Sequence, residues 1–180
     1  MALYRLEQFR LALLGRVSEA DMREARHVLG PDLYGLFAAM PAQYRHHMLA
    51  VYRRVRESGC ESKHVLQAAL LHDSGKYDPA TGTYVTVPYR VLTVVLEATA
   101  PGRALLHALT RDAGDRRDAA RSLGVRYPLY LSAHHPELGA RRAAQYGAHP
   151  EVVGLIRDHQ KRGGPRSTAL SILQAADDKS

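Results

Sequence analysis

The chain has 180 residues, 46% of them hydrophobic, which is enough for one substantial core and too few to suggest two independent domains. Lys and Arg outnumber Asp and Glu by 25 to 18, a formal +7 that favours anionic partners without choosing between phosphorylated metabolites, nucleotides, nucleic acid and acidic membranes. Cys60 is the single cysteine, so an intrachain disulfide and a thiolate zinc cluster are both excluded.

Ala, Leu, Arg and Glu are abundant and no period-two alternation is sustained, so an all-α fold is expected. A first amphipathic segment covers about residues 3 to 15. Ser18 offers the N-cap of a second helix that ends at Gly30-Pro31, and a short third one leads to Pro41. These form an N-terminal helical extension, residues 1 to 40, packed on a main domain from 41 to 180. From Pro41 a helical pattern runs through Val51 and Val55 to a stop at Gly59, and Ser62 caps the helix that leads to His72.

Gly75 to Pro88 reads as a loop with a short extended piece at Tyr84 to Val87. Helices are expected over Pro88 to Ala98 and Arg103 to Thr110, followed by a charged, exposed segment from Asp112 to Arg121. Further helices run from Pro136 to Tyr146 and from Pro150 to about Gln160, and Ser167 caps the last. The apolar run Tyr89 to Leu96 is read as core or as a lid. Its greasiest part, Val91 to Leu96, is bounded by Arg90 and Glu97 and is too short to span a bilayer. The start of the chain lacks the apolar core of a secretory signal, and a cytoplasmic setting is expected.

The strongest chemical signal is Leu70-Leu71-His72-Asp73-Ser74-Gly75-Lys76, an imidazole and a carboxylate side by side at the end of an apolar helix. Burying such a carboxylate costs several kcal/mol unless a cation or a hydrogen-bond partner compensates. A divalent metal does so, because imidazole and carboxylate together suit Mn, Fe, Zn or, less readily, Mg. A helix-ending His followed by a capping Asp is the plain alternative, so other residues must decide. Helical phase puts His47 on one face with Val51 and Val55, whereas His46 faces Ala50 and Arg53. The same test places Asp177, not Asp178, with Leu170 and Leu173. A buried His47, the pair His72-Asp73 and a buried Asp177 form a plausible single-metal set, with His46 as the alternative to His47.

The order His47, His72-Asp73-Ser74-Gly75-Lys76, then Asp177 within Ile172-Leu173-Gln174-Ala175-Ala176-Asp177, resembles the HD-domain superfamily of metal-dependent phosphohydrolases, from about residue 41 to the end. The resemblance implies an all-α, single-domain helical bundle in which these four residues hold a divalent ion. It gives Asp73 and Lys76 catalytic roles, the lysine touching a phosphate or the attacking water. His134-His135-Pro136-Glu137-Leu138-Gly139 is similar to the His-Pro-Glu-x-Gly segment of the HD-GYP branch. Ile156-Arg157-Asp158-His159-Gln160 stands where that branch has His-His-Glu. His135 and His159 would then hold a second ion bridged to the first by Asp73. Asp158 and Gln160 depart from that pattern, and Arg162-Gly163-Gly164-Pro165 stands in place of Gly-Tyr-Pro.

His135 as a cap before Pro136, and His134 in its stead, remain open at this level. The other histidines, His27, His64, His107 and His149, lack a partner at useful spacing, and His149 reads as a helix cap. Arg141, Arg142, Arg157, Lys161 and Arg162 either line a phosphate approach or cover solvated helix faces. The expectation is a phosphohydrolase with one or two divalent ions acting on a small, nucleotide-like phosphate ester. A metal- or nucleotide-binding sensor without turnover is the rival. Nucleic acid is a less favoured partner, since charge alone supports it, and the oligomeric state is not legible.

Overall fold

The computed structural model describes residues 17–115, 122–161, 163–165 and 167–180. The amphipathic segment expected over residues 3 to 15, residues 116 to 121 of the charged stretch, and Arg162 of the expected basic approach lie outside them. The described residues form eight α-helices and one two-stranded ribbon. The fold is all-α, as the composition and periodicity predict.

Helix α1, Glu19–Ala38, opens with a reciprocal cap: the Asp21 amide donates to Ser18 Oγ at 3.1 Å and the Ser18 amide to the Asp21 carboxylate at 3.2 Å. The break expected at Gly30-Pro31 is a kink. Gly30 has φ 73° and ψ 174°, a conformation open to glycine, and Pro31 restarts the helix with its fixed φ. Helix α2, Ala42–Glu57, stops just before Gly59 at φ 80°.

Helix α3, Lys63–Leu71, has Ser62 at its N-cap position, though the hydroxyl makes no capping bond. Every residue from Gln67 to Leu71 is buried, so this short helix is enclosed on all sides. It packs against α1, α2 and the last two helices, α7 (Pro150–Asp158) and α8 (Thr168–Asp177). One core runs from Ala25 and Phe37 in α1 through Met48 and Leu70 to Ile156 and Leu173. Ser167 caps α8, its hydroxyl accepting from the Leu170 amide at 3.1 Å.

After α3 a 3-10 turn, Ser74–Lys76, leads into strand β1, Tyr77–Asp78, which pairs antiparallel with β2, Thr83–Tyr84. The extended piece thus begins one residue earlier than expected and has a partner inside the same loop. Helices α4, Val87–Glu97, and α5, Ala100–Thr110, form a hairpin against α6, Arg126–Gln145. A small second core of Val85, Ala113, Leu123, Tyr127 and Leu131 lies beneath it.

Two expectations are corrected. The Tyr89 to Leu96 run is not core: among the α4 residues only Thr93 is buried, while Val91, Leu92, Val94 and Val95 face outward, Val94 being 66% exposed. Its apolar residues continue around the helix, and the single neighbouring layer covers one side. Second, α6 begins at Arg126, well before Pro136, which lies inside it. Proline removes one helical amide. The Ser132 carbonyl that this amide would have served accepts from His135 Nδ1 at 2.7 Å instead. Among the described residues no helix is long and apolar enough to cross a membrane.

Candidate metal centre

Three histidines from three helices use one local device. His72 follows the end of α3 and points Nδ1 at the Ala69 carbonyl, 3.0 Å away. His159 follows the end of α7 and points Nδ1 at the Ile156 carbonyl at 2.7 Å. His135 makes the equivalent bond to Ser132 within α6. In each case the acceptor lies three residues back, at a helix end or a proline break where helical pairing is interrupted. A carbonyl only accepts, so Nδ1 carries the proton of the neutral ring and Nε2 keeps its lone pair. Metal-binding histidines are commonly oriented in this way.

All three Nε2 atoms converge on Asp73. His72, His135 and His159 Nε2 lie 3.7, 3.6 and 3.8 Å from Asp73 Oδ1. On the other side, His47 Nε2 lies 3.7 Å from Asp73 Oδ2 and 3.2 Å from Asp177 Oδ1, and His72 Nε2 is 3.5 Å from the same Asp177 oxygen. Ligands bound at about 2.0 to 2.2 Å around one ion stand roughly 2.8 to 3.6 Å apart, close to these separations. Two groups of candidate ligands share Asp73: His47 and His72 on one side, joined by Asp177, and His135 and His159 on the other.

The donor set fits a divalent ion on a second ground. Asp73 Oδ1 and the Nε2 atoms of His72, His135 and His159 are all buried and have no hydrogen-bond partner. Buried polar atoms are rarely left so, and each unmade bond costs about 1–3 kcal/mol. Four such atoms gathered around one carboxylate make a donor set suited to a cation.

The six candidate ligand residues read from the sequence therefore come together, but not all are enclosed. His47 and Asp177, expected to be buried, keep 21% and 25% of their side chains exposed, whereas His72, Asp73, His135 and His159 are almost wholly enclosed. The helical-phase test identifies the inward face but not how far along a helix the core ends. The His47–Asp177 side is accordingly the mouth of the site. Lys76 is buried beside it, its Nζ donating to Asp73 Oδ2 at 2.8 Å.

Burial raises the Asp73 carboxyl, but Lys76, His72, His135 and His47 outweigh it and hold the group well below the usual carboxylate range. Burial pushes His72 down, yet Asp73 and Asp177 more than reverse this and leave it raised. His135 is held well below the ordinary imidazole value by burial and by Lys76. His159 is lowered by burial and by His72, from 6.5 to about 4. A histidine lowered on folding contributes stability that is complete above its unfolded pKa and is lost as pH falls toward the folded one. For His159 that window runs from 6.5 to about 4 and is worth roughly 3 kcal/mol. His135 acts in the same direction, and His72, being raised, offsets part. The urea midpoint of chelator-treated protein is therefore expected to fall between about pH 7 and pH 4.5. A flat or rising midpoint would contradict the neutral state assigned to His135 and His159.

A backbone crossing holds Asp73 and Lys76 against His135. A Cβ at Gly75 would lie 2.0 Å from the His135 carbonyl oxygen and 2.8 Å from the Gly139 nitrogen, and one at Gly139 would lie 3.0 Å from Ser74 Oγ. Arg142 pins the same turn, donating to the Ser74 carbonyl at 3.2 Å and to the Tyr77 carbonyl. Buried Asp78 accepts from Tyr127 Oη at 2.6 Å and so ties the ribbon to α6. Gln174 Nε2 donates to the carbonyls of His159 and Lys161 at 2.9 and 2.8 Å, fixing the end of α7 on α8.

These supporting residues are not legible as such in the sequence. The one available signal is that Gly75 and Gly139 each fall within the segments that carry the family resemblance. Arg142 is not a solvated face or a phosphate approach, because its guanidinium is committed to backbone carbonyls. Arg157 and Lys161 both bond Asp158 at the surface. His135 is no cap, lying inside α6, and His134 packs on Tyr130 with ring centroids 4.9 Å apart. Comparison with family models, with curated proteins and with solved structures returned no match.

Proposed function

We propose that this chain is a metal-dependent phosphohydrolase of the HD type, cleaving a small, nucleotide-like phosphate ester or diester with water. The observation that carries the reading is the set of buried, unpartnered Nε2 atoms of His72, His135 and His159 around Asp73 Oδ1. Neutral nitrogen and ionised oxygen donors at this spacing suit Mn, Fe or Zn, with Mg less favoured, as one ion or as two sharing Asp73. A divalent ion held here would supply positive charge for the phosphoryl oxygens and make water a competent nucleophile near neutral pH.

The chain's own residues do the rest. His47 and Asp177 line the mouth, where a substrate arrives from solvent. Lys76 presents a buried ammonium with three donors, one of them engaged by Asp73 Oδ2, and the others are suited to a phosphoryl oxygen. Asp73, held ionised by its neighbours, would orient the attacking water and relay its proton to the leaving oxygen, so that the P–O bond to the alcohol breaks as the new P–O bond forms and the alcohol departs neutral. The near-complete enclosure of His135 and His159 excludes bulk water from the far side.

The test is elemental analysis of anaerobically purified protein together with a screen of phosphomonoesters and phosphodiesters. Metal bound with turnover that a chelator removes is the expected result; protein that holds no metal and cleaves nothing would overturn the reading. A binding-only role as a metal or nucleotide sensor is favoured by one feature: Asp158 is spent on Arg157 and Lys161, which leaves the His135–His159 side with three protein ligands. Metal and nucleotide binding without turnover in the same screen would select it.

A further inference from the structure

The two short helices that end at the buried centre begin together at another cluster. His64 lies in the first turn of α3, His149 is the N-cap of α7, and Glu151 follows in the first turn of α7. Each helix has nine residues and spans about 13 Å, so this cluster stands a helix length away from His72-Asp73 and His159.

We propose that His64, His149 and Glu151 form a second, peripheral site for a borderline divalent ion such as Zn, Ni or Cu. His64 Nδ1 and Glu151 Oε2 are 2.8 Å apart, the separation of neighbouring ligands on an ion with bonds of about 2.0 Å. The metal takes the place of the proton now shared between them. All three ligand atoms lie within 4.8 Å of one another; the His149 ring now stacks on His64, centroids 4.1 Å and planes 8° apart, so binding turns this exposed ring out of the stack to bring both lone pairs onto one ion. His149 Nδ1 accepts the Glu151 backbone amide at 3.3 Å as the N-cap bond of α7, so that nitrogen is unprotonated, and an ion would take this lone pair in place of the amide. The extended backbone of His149, φ −58° and ψ 143°, brings residues 149 and 151 to the same side although they are two apart.

Beside the cluster is a cleft of about 250 Å³ lined by Lys63, Gln67, Tyr146 and Asp32 as well as both histidines, with room for water to complete the coordination. Two imidazoles and one carboxylate select zinc-like ions over Mg or Ca, which prefer oxygen. The bound ion cross-links the N-termini of α3 and α7.

Equilibrium dialysis of the full chain against Zn, with metal quantified, tests this independently of the buried centre. The wild type is expected to hold one equivalent more than the His64→Gln/His149→Gln variant and than Glu151→Gln, with no such difference in Mg. All three side chains are surface groups, so both variants keep their helical circular dichroism. Equal zinc in wild type and variants would overturn the proposal. Failure of the buried centre would lower the zinc of all three proteins alike and leave the difference between them intact.

Discussion

Replacement of Asp73 by Asn is expected to strip the buried centre of metal and to lower metal-dependent phosphate-ester hydrolysis about a thousandfold or more, the scale for losing a group that stabilises developing charge. The effect is large because one carboxylate faces all four histidines of the set: Oδ1 faces His72, His135 and His159, and Oδ2 faces His47 and Lys76. The substitution preserves shape and removes the negative charge that offsets up to two cations. It also leaves the buried Lys76 ammonium without its counter-ion, so a loss of about 3 kcal/mol in stability accompanies it. Elemental analysis reads the first effect without knowledge of the substrate. Metal content unchanged from wild type, in protein that keeps its helical circular dichroism, would rule out Asp73 as the shared ligand.

Gly75→Ala should cost about 3 kcal/mol or more, at the upper end for overpacking, because the added methyl meets backbone that no rotamer change relieves. Its nearest neighbours would be the His135 carbonyl oxygen at 2.0 Å and the Gly139 nitrogen at 2.8 Å. Any relief separates the 3-10 turn from α6, and with it Asp73 from His135, so metal affinity falls together with stability. Gly139→Ala is milder: its methyl meets Ser74 Oγ at 3.0 Å and the Gly75 nitrogen at 3.2 Å, and the hydroxyl is able to turn aside. Urea denaturation should rank wild type above Gly139→Ala above Gly75→Ala. Equal stability of all three would show that the two backbones do not cross this closely.

Much of the helical framework is legible because its signals are local. The Ser18 cap, the Gly30-Pro31 break and the Gly59 stop act within a few residues of themselves, and each appears where the sequence places it. Pro136 misleads for an instructive reason. Proline is a reliable helix breaker only while the freed carbonyl lacks another donor, and here His135 supplies one from its own side chain. The apolar α4 run misleads in the other direction, since hydrophobicity marks surface that a chain would bury but not whether a neighbouring layer exists to bury it.

The ligand types follow the same division. Helical phase separates His47 from His46 and Asp177 from Asp178, because residues four or seven apart share a face whatever the fold. By itself, then, the sequence determines an all-α chain, most of its helix limits, and that His47 rather than His46 and Asp177 rather than Asp178 lie on the inward faces of their helices. Only the tertiary structure brings His135 and His159 onto Asp73, opens the site at His47 and Asp177, commits Arg142 to the turn that carries Lys76, and stacks His64 on His149 across 85 positions. Each of these depends on which helices become neighbours and how closely their backbones approach, a long-range outcome of packing that no local pattern of residues encodes.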